Sequence, residues 1–389
     1  MRGTVALCFA VAVLEGFDIQ ALGVAAPKLV PEFGLSPQQM GFVSSVSNAG
    51  FLLGAGAGGW LADQFGRKRV LVISTLTFAL FTLGVAVVKG FEGLFVARLL
   101  TGFGFGAAMP NLMALASEAA PRERRVATTA FVFCGMPTGG GASALLTQFL
   151  PPDYDWRLLF QIGGVLPLVI AVAVQAWLVE PPRPAKGGGR PERRPVATVL
   201  FGEGRAAPTL LMWLTFLPTV LILYLLVYWL PLLVAAKGID RALAPQASVA
   251  FNWGSVVGSV VLGGAVDRFG SRWPFAISFS VLVAALAALA AASSLGPVLV
   301  LSAITGFCLL GSNYALYGVA APHYPVAERA TGSGAAVAVG RVGSILGPLL
   351  AGFWREGGAS ADAVLLYTVP LAALAGLAVF ALSAFPARH

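Results

Sequence analysis

The chain has 389 residues, of which 58% are hydrophobic and only 11% charged, and it carries a formal net charge of +8. A soluble globular domain has about 25% charged residues, and disorder needs low hydrophobicity, so both are excluded. Helices that cross a bilayer need about 20 apolar residues each, and this chain has room for a dozen.

In chain order, twelve apolar segments can be marked: 4–30, 38–62, 70–88, 93–119, 126–150, 158–179, 208–235, 244–266, 273–295, 297–321, 330–353 and 363–385. They are too long and too continuously apolar for the tilted, alternating strands of a membrane barrel. The expected fold is therefore an all-α polytopic membrane protein with twelve transmembrane helices. The first segment has no small-residue cleavage pattern and is too long for a signal-peptide core, so it is expected to remain as the first span. Between the sixth and seventh segments, residues 180–205 read PPRPAKGGGRPERRP through their middle, the composition of a flexible solvated linker. They divide the chain into an N-terminal six-helix bundle (1–179), a cytoplasmic linker (180–205) and a C-terminal six-helix bundle (206–389).

The two halves repeat. At an offset of 204, Asn48 falls on Asn252, Gly50 on Gly254, Gly54 on Gly258, Asp63 on Asp267, Thr101 on Thr305, Gly102 on Gly306 and Arg125 on Arg329. Two parallel repeats about an axis along the membrane normal are a transporter design. With the N-terminus placed in the cytoplasm, the cytoplasmic segments carry 17 Lys and Arg and the external ones six. That asymmetry obeys the positive-inside rule and puts both termini in the cytoplasm. It also explains the basic balance without nucleic acid, for which no base-reading basic face exists. The three cysteines, Cys8, Cys134 and Cys308, lie in apolar stretches with no CxxC spacing. Neither a disulfide framework nor a metal site is indicated.

Five ionisable residues remain inside the spans: Glu15, Asp18, Arg98, Glu118 and Arg341. Each costs about 2.5–3.5 kcal/mol at mid-helix on the insertion scale, so each should be paired, line a cavity or work. Glu15, Asp18, Arg98 and Arg341 have no charged counterpart at the 204 offset, which suits an asymmetric substrate better than the scaffold. Glu15 and Asp18 share a helix face at i,i+3, and two close carboxylates favour keeping one proton. They are the proton-coupling candidates, with Arg98 divided between a structural pair and proton-path tuning. Arg341 offers a planar cation suited to a carboxylate. The structural alternative is an ion pair between Asp18 and Arg341. Glu118, near the end of the fourth span, reads as a gate or edge salt bridge. Further candidates for a substrate cavity are Asn48, Asn111, Tyr224, Tyr228, Asn252, Asn313, Tyr314 and Tyr317, against packing roles for each. Asn48 and Asn252 lean toward packing because they repeat. A GxGxx(G/A) pattern at Gly102, Gly104 and Ala107 follows no strand and lies in an apolar run, so small-residue helix packing is the better reading. No Walker A pattern is present, and no catalytic cluster suggests an enzyme.

The loop Gly59-Trp60-Leu61-Ala62-Asp63-Gln64-Phe65-Gly66-Arg67-Lys68-Arg69 and its weaker copy Gly263–Arg272 resemble the signature loop of the major facilitator superfamily. The resemblance implies a cytoplasmic latch, with Asp63, Arg67, Arg125, Asp267 and Arg329 as gating residues beside Glu118. It extends over nearly the whole chain to the aromatic acid:proton symporter family. The carrying segments are Leu7-Cys8-Phe9, Glu15-Gly16-Phe17-Asp18, Met109-Pro110-Asn111, Ser117-Glu118-Ala119, Trp229-Leu230-Pro231, Arg329-Ala330-Thr331-Gly332 and Gly340-Arg341-Val342-Gly343. Within that family the chain most resembles the 3-(3-hydroxyphenyl)propionate transporters. The resemblance implies a secondary transporter of the bacterial cytoplasmic (inner) membrane. It would import a small aromatic carboxylate with a proton by alternating access, as a monomer, without a cofactor beyond the proton gradient. A proton-driven exporter is the alternative, since Gly343, Gly347, Pro348 and Gly352 resemble an antiporter pattern. A membrane enzyme or sensor is the remote one.

Overall fold

The computed structural model describes residues 2–121, 125–151, 153–178, 195–325 and 328–385. Fourteen helices and two short 3-10 turns make up the regular structure, with no strand among the described residues. The helices are α1 (Arg2–Phe33), α2 (Pro37–Phe65), α3 (Arg67–Val85), α4 (Phe91–Glu118), α5 (Arg125–Phe133), α6 (Gly135–Leu146), α7 (Arg157–Trp177), α8 (Val196–Phe201), α9 (Ala206–Ala236), α10 (Pro245–Phe269), α11 (Arg272–Ala291), α12 (Leu295–Ala320), α13 (Arg329–Glu356) and α14 (Ala361–Leu382). Ten of them are long and apolar enough to cross a bilayer. The eleventh crossing is α2, whose Gln, Ser, Asn and Gly residues lower its hydropathy. The twelfth is α5 and α6 end to end.

That last crossing was expected as one helix over 126–150, and the structure breaks it at Cys134. Pro137 supplies the reason. It has no N–H for the carbonyl of Phe133, four residues back, and its ring crowds that carbonyl. The Phe133 oxygen instead lies 3.4 Å from the Tyr314 hydroxyl, which donates to it from α12.

The 204-residue repeat is built into the packing. In the first half α2 crosses α4 so closely that a Cβ on Gly50, Gly54 or Gly102 would strike the carbonyl of Leu99, Phe103 or Ser47 respectively. In the second half α10 crosses α12 in the same way, with Gly254, Gly258 and Gly306 set against the carbonyls of Ala303, Phe307 and Phe251. Each glycine and each opposing carbonyl is 204 residues from its counterpart. Gly104 and Gly106 likewise lie against the backbones of Phe78 and Phe51, so the glycine run in α4 serves close helix approach.

The halves meet along α1 with α9, α2 with α13 and α6 with α10. The bonds joining them cluster at the end that carries the α1–α2 turn. There Ser45 Oγ donates to the Ile345 carbonyl at 2.7 Å, Gln20 Nε2 to the Val227 carbonyl at 2.9 Å, and Gln246 Nε2 to Gln148 Oε1 at 2.6 Å. Gly41 and Gly352 let α2 and α13 touch backbone to backbone. Toward the opposite end a groove of about 1130 Å³ runs between α5, at Thr129 and Phe131, and α10, at Ser259 and Asp267.

Most of the Pro- and Gly-rich linker, residues 179–194, lies outside the described residues. Its last part departs from the flexible reading. Residues 196–201 form α8, and Arg205 is buried, donating to the carbonyls of Val199 and Thr198 and pairing with Glu203. The guanidinium also pairs with Glu328 at 3.5 Å, which ties the connection onto the second half before α9 begins.

Candidate functional site

Four helices of the first half converge on one buried charge pair. Arg98 Nη1 of α4 lies 2.7 Å from Asp18 Oδ2 of α1, and both side chains are wholly excluded from solvent. Thr82 of α3 donates to Asp18 Oδ1 at 2.8 Å, and Arg98 Nε donates to Ser47 Oγ of α2 at 3.0 Å. A buried ion pair is tolerable when its remaining lone pairs and protons are satisfied, and here two hydroxyls do most of that. Arg98 Nη2 is left without a partner, as is the hydroxyl of Tyr228, which reaches toward it from α9 without hydrogen-bonding geometry. The expected structural alternative, Asp18 with Arg341, is therefore corrected: the partner of Asp18 is Arg98. Asp18 and Arg98 sit on helices crossing within one bundle, whereas Arg341 belongs to the other.

Glu15, one turn earlier on α1, is the opposite case. It is 1% exposed, and neither carboxylate oxygen has a hydrogen-bond partner. Its charged neighbours are Arg341 and Asp18. Arg341 projects from α13, donates to the Tyr224 hydroxyl at 3.0 Å and lies over the ring of Phe51, 4.2 Å from its centroid. A guanidinium held by an aromatic face and a phenol, rather than by a carboxylate in contact, keeps donors for an incoming anion.

Between the halves lies a cavity of about 90 Å³, several times the void one water needs. Arg341, Tyr224, Asn252, Asn313, Tyr314 and Tyr317 line it, six of the nine substrate candidates. Tyr224 and Tyr317 are electrostatic neighbours of Arg341, so the phenols gather around the cation. Three candidates stand elsewhere. Asn111 donates to the Ala107 and Gly58 carbonyls and joins α4 to α2. Asn48 donates to the Ser344 carbonyl and helps join the halves. Tyr228 is buried beside Arg98. The two asparagines thus serve helix contact, the commoner use of polar residues in an apolar run.

The cavity also has walls that were not singled out from sequence: Gln20, Phe133, Met136 and Phe251. Gln20 had a visible signal, being a polar residue two positions beyond Asp18 in an apolar run. Its amide is fully used, donating to Val227 and Ser248 and accepting from Asn252. Phe133 and Met136 border the Cys134 break, which nothing in the hydropathy pattern announces.

Of the gating candidates, Arg67 and Glu118 form an ion pair between α3 and α4, inside the first half. That fits the edge-bridge reading of Glu118 and does not latch one half to the other. Asp267 is exposed beside the groove, and Arg329 donates to the Tyr324 carbonyl at 3.3 Å. The side chains of Asp63 and Arg125 lie outside the described ones.

Two stretches, 8–248 and 233–389, match the family model for the Major Facilitator Superfamily. The chain belongs to the Major Facilitator Superfamily. It is 39% identical to the 3-(3-hydroxy-phenyl)propionate transporter of Escherichia coli (strain K12), over 97% of this chain and 93% of that one. It is 35% identical to the 4-hydroxybenzoate transporter PcaK of Pseudomonas putida, over 88% of this chain and 84% of the relative. Among solved structures, a D-xylose-proton symporter superposes with a TM-score of 0.77 at 16% identity, covering 98% and 97% of the two chains. At that identity the likeness concerns the fold, and the superfamily member described here is a transporter rather than an enzyme.

Proposed function

We propose that this superfamily member imports an aromatic carboxylic acid together with a proton across the bacterial inner membrane. The observation that carries the reading is Arg341, a permanent cation in the wall of an aromatic-lined cavity between the halves, hydrogen-bonded to Tyr224 and in contact with no carboxylate. The relatives named for 3-hydroxyphenylpropionate, 4-hydroxybenzoate and gallate support the substrate class. Charge placement along the chain supports cytoplasmic termini, which makes the joined end external and the groove cytoplasmic.

In this reading the substrate carboxylate binds Arg341 and its ring lies among Tyr224, Tyr314 and Tyr317, offset or edge-on as aromatic pairs prefer. Glu15 shares the field of the same cation. Two anions cannot both be held by one guanidinium without cost, so arrival of the substrate favours a protonated Glu15. Loaded with both, the site carries no more charge than when empty, and the halves can rock about it. Asp18 then acts through Arg98, fixing α1 and α4, rather than by carrying the proton itself. The driving force is the proton gradient alone.

Proteoliposomes with an imposed proton gradient test this. Glu15→Gln should lose gradient-driven accumulation of 3-(3-hydroxyphenyl)propionate but keep exchange of internal for external substrate. Arg341→Gln should weaken binding in both assays. Gradient-driven accumulation by Glu15→Gln at the wild-type level would exclude the proton role, and net efflux against a substrate gradient would reverse the direction.

A further inference from the structure

The cavity holds one buried polar group that the protein leaves unused. Gln20 and Asn252 are bonded to each other and to Val227 and Ser248, and the Tyr314 hydroxyl is turned to Phe133. Asn313 lines the same cavity, is 3% exposed, and its amide nitrogen has no hydrogen-bond partner. An amide left unsatisfied in a buried position costs its full desolvation, and a primary amide can both donate and accept. Leu310, one residue short of a turn away on α12, also borders the cavity, and an apolar side chain at 313 would close that wall without the cost.

Asn313 and Tyr317 are i,i+4 on α12, about 6 Å apart along the axis, and Tyr317 is an electrostatic neighbour of Arg341. Arg341 and Asn313 thus line one cavity, from α13 and α12 respectively. A ring whose carboxylate is held at Arg341 lies in the same cavity as the unpartnered Asn313 amide. We propose that Asn313 is a specificity-determining residue that hydrogen-bonds a ring hydroxyl remote from the carboxylate, so that the site selects hydroxylated aromatic acids over their unsubstituted counterparts. This rests on the aromatic-acid reading and narrows it. A site built to bond a substrate hydroxyl disfavours the analogue that lacks it, because the amide is then left bare.

The test is competition against labelled 3-(3-hydroxyphenyl)propionate in proteoliposomes, with 3-phenylpropionate and 3-(3-hydroxyphenyl)propionate as unlabelled competitors. Wild type should prefer the hydroxylated acid by about tenfold or more. Asn313→Ala should bring the two competitors to within about threefold of each other, chiefly by weakening the hydroxylated one. Retained competition by 3-phenylpropionate shows that the variant is folded. Asn313→Leu, which fills the space, serves if the alanine variant is inactive, and should give the same levelling. An undiminished preference in a variant that still binds overturns the role of Asn313 and leaves the aromatic-acid reading intact. If neither acid competes in wild type, the aromatic-acid reading fails and this inference with it.

Discussion

Asp18 and Glu15 lie three residues apart on one helix, carry the same charge and have opposite surroundings. Asp18 receives Arg98 and Thr82, while Glu15 has no hydrogen-bond partner for either oxygen. Removing the Asp18 charge strands a buried guanidinium, which costs about 3–5 kcal/mol. Asp18→Asn should therefore lower the thermal unfolding midpoint of the detergent-solubilised protein markedly, and adding Arg98→Met should recover much of the loss. Glu15→Gln removes no bond and should leave the midpoint unchanged or raised. A large destabilisation by Glu15→Gln would mean a structural partner for that carboxylate. Sequence made the five intramembrane charges legible because ionisable residues are rare and expensive in an apolar run. It left their pairing open. Register along a helix shows which residues share a face, but the facing residue comes from a helix 80 positions away, and only the crossing geometry chooses Arg98 over Arg341.

Helix crossings decide the elements. The glycines that face carbonyls at the α2–α4 and α10–α12 crossings cannot carry a side chain without moving a backbone. Gly258→Val should abolish folded protein at the membrane, read as monodisperse material by size-exclusion chromatography. Gly56→Ala, on α2 with nothing near its would-be Cβ, should be recovered at wild-type yield. Recovery of Gly258→Val at wild-type yield would mean that the α10–α12 crossing relaxes around an added side chain. The repeat that exposes these positions was visible as identities at one offset, and so were the lengths of most spans. The interruption at Cys134 was not, because hydropathy sums over a proline that is itself apolar. Nor was α8, six residues of ordinary composition whose place is fixed by what Arg205 finds on the second half.

For the molecule, the arrangement is two six-helix bodies joined at one end and parted at the other. Gly23 of α1 faces the Val227 carbonyl of α9 across the joined end, so closely that a Cβ there would collide. Gly23→Val should wedge the halves apart and shift the population toward the opposite opening. Maleimide labelling of Ser45→Cys, in a background with Cys8, Cys134 and Cys308 replaced by alanine, should then be faster from the side that carries the α1–α2 turn. Unchanged labelling would mean that the seam relaxes locally around the added side chain. Twelve crossings and their twofold division could be read from the residues, since both follow from runs of apolar sequence and a repeated spacing. The state of opening could not. It is set by contacts between residues far apart in the chain, such as Ser45 with Ile345, which no local pattern announces.

Gln20, Ser45, Asn48 and Gln246 join the halves across the seam through amides, a hydroxyl and backbone carbonyls, all uncharged, and a charge enters in the exposed bond from the Gln38 N–H to Glu356 Oε2 at 3.2 Å. The uncharged bonds exchange with water at small net gain, and they lie outside the reach of ionic screening. Parting this seam thus liberates mainly neutral groups, each of which finds an equivalent bond in the solvent that enters. The strength of this seam is therefore mainly one of shape and hydration, and raising the ionic strength of the medium should loosen it little while weakening the exposed Arg67–Glu118 pair.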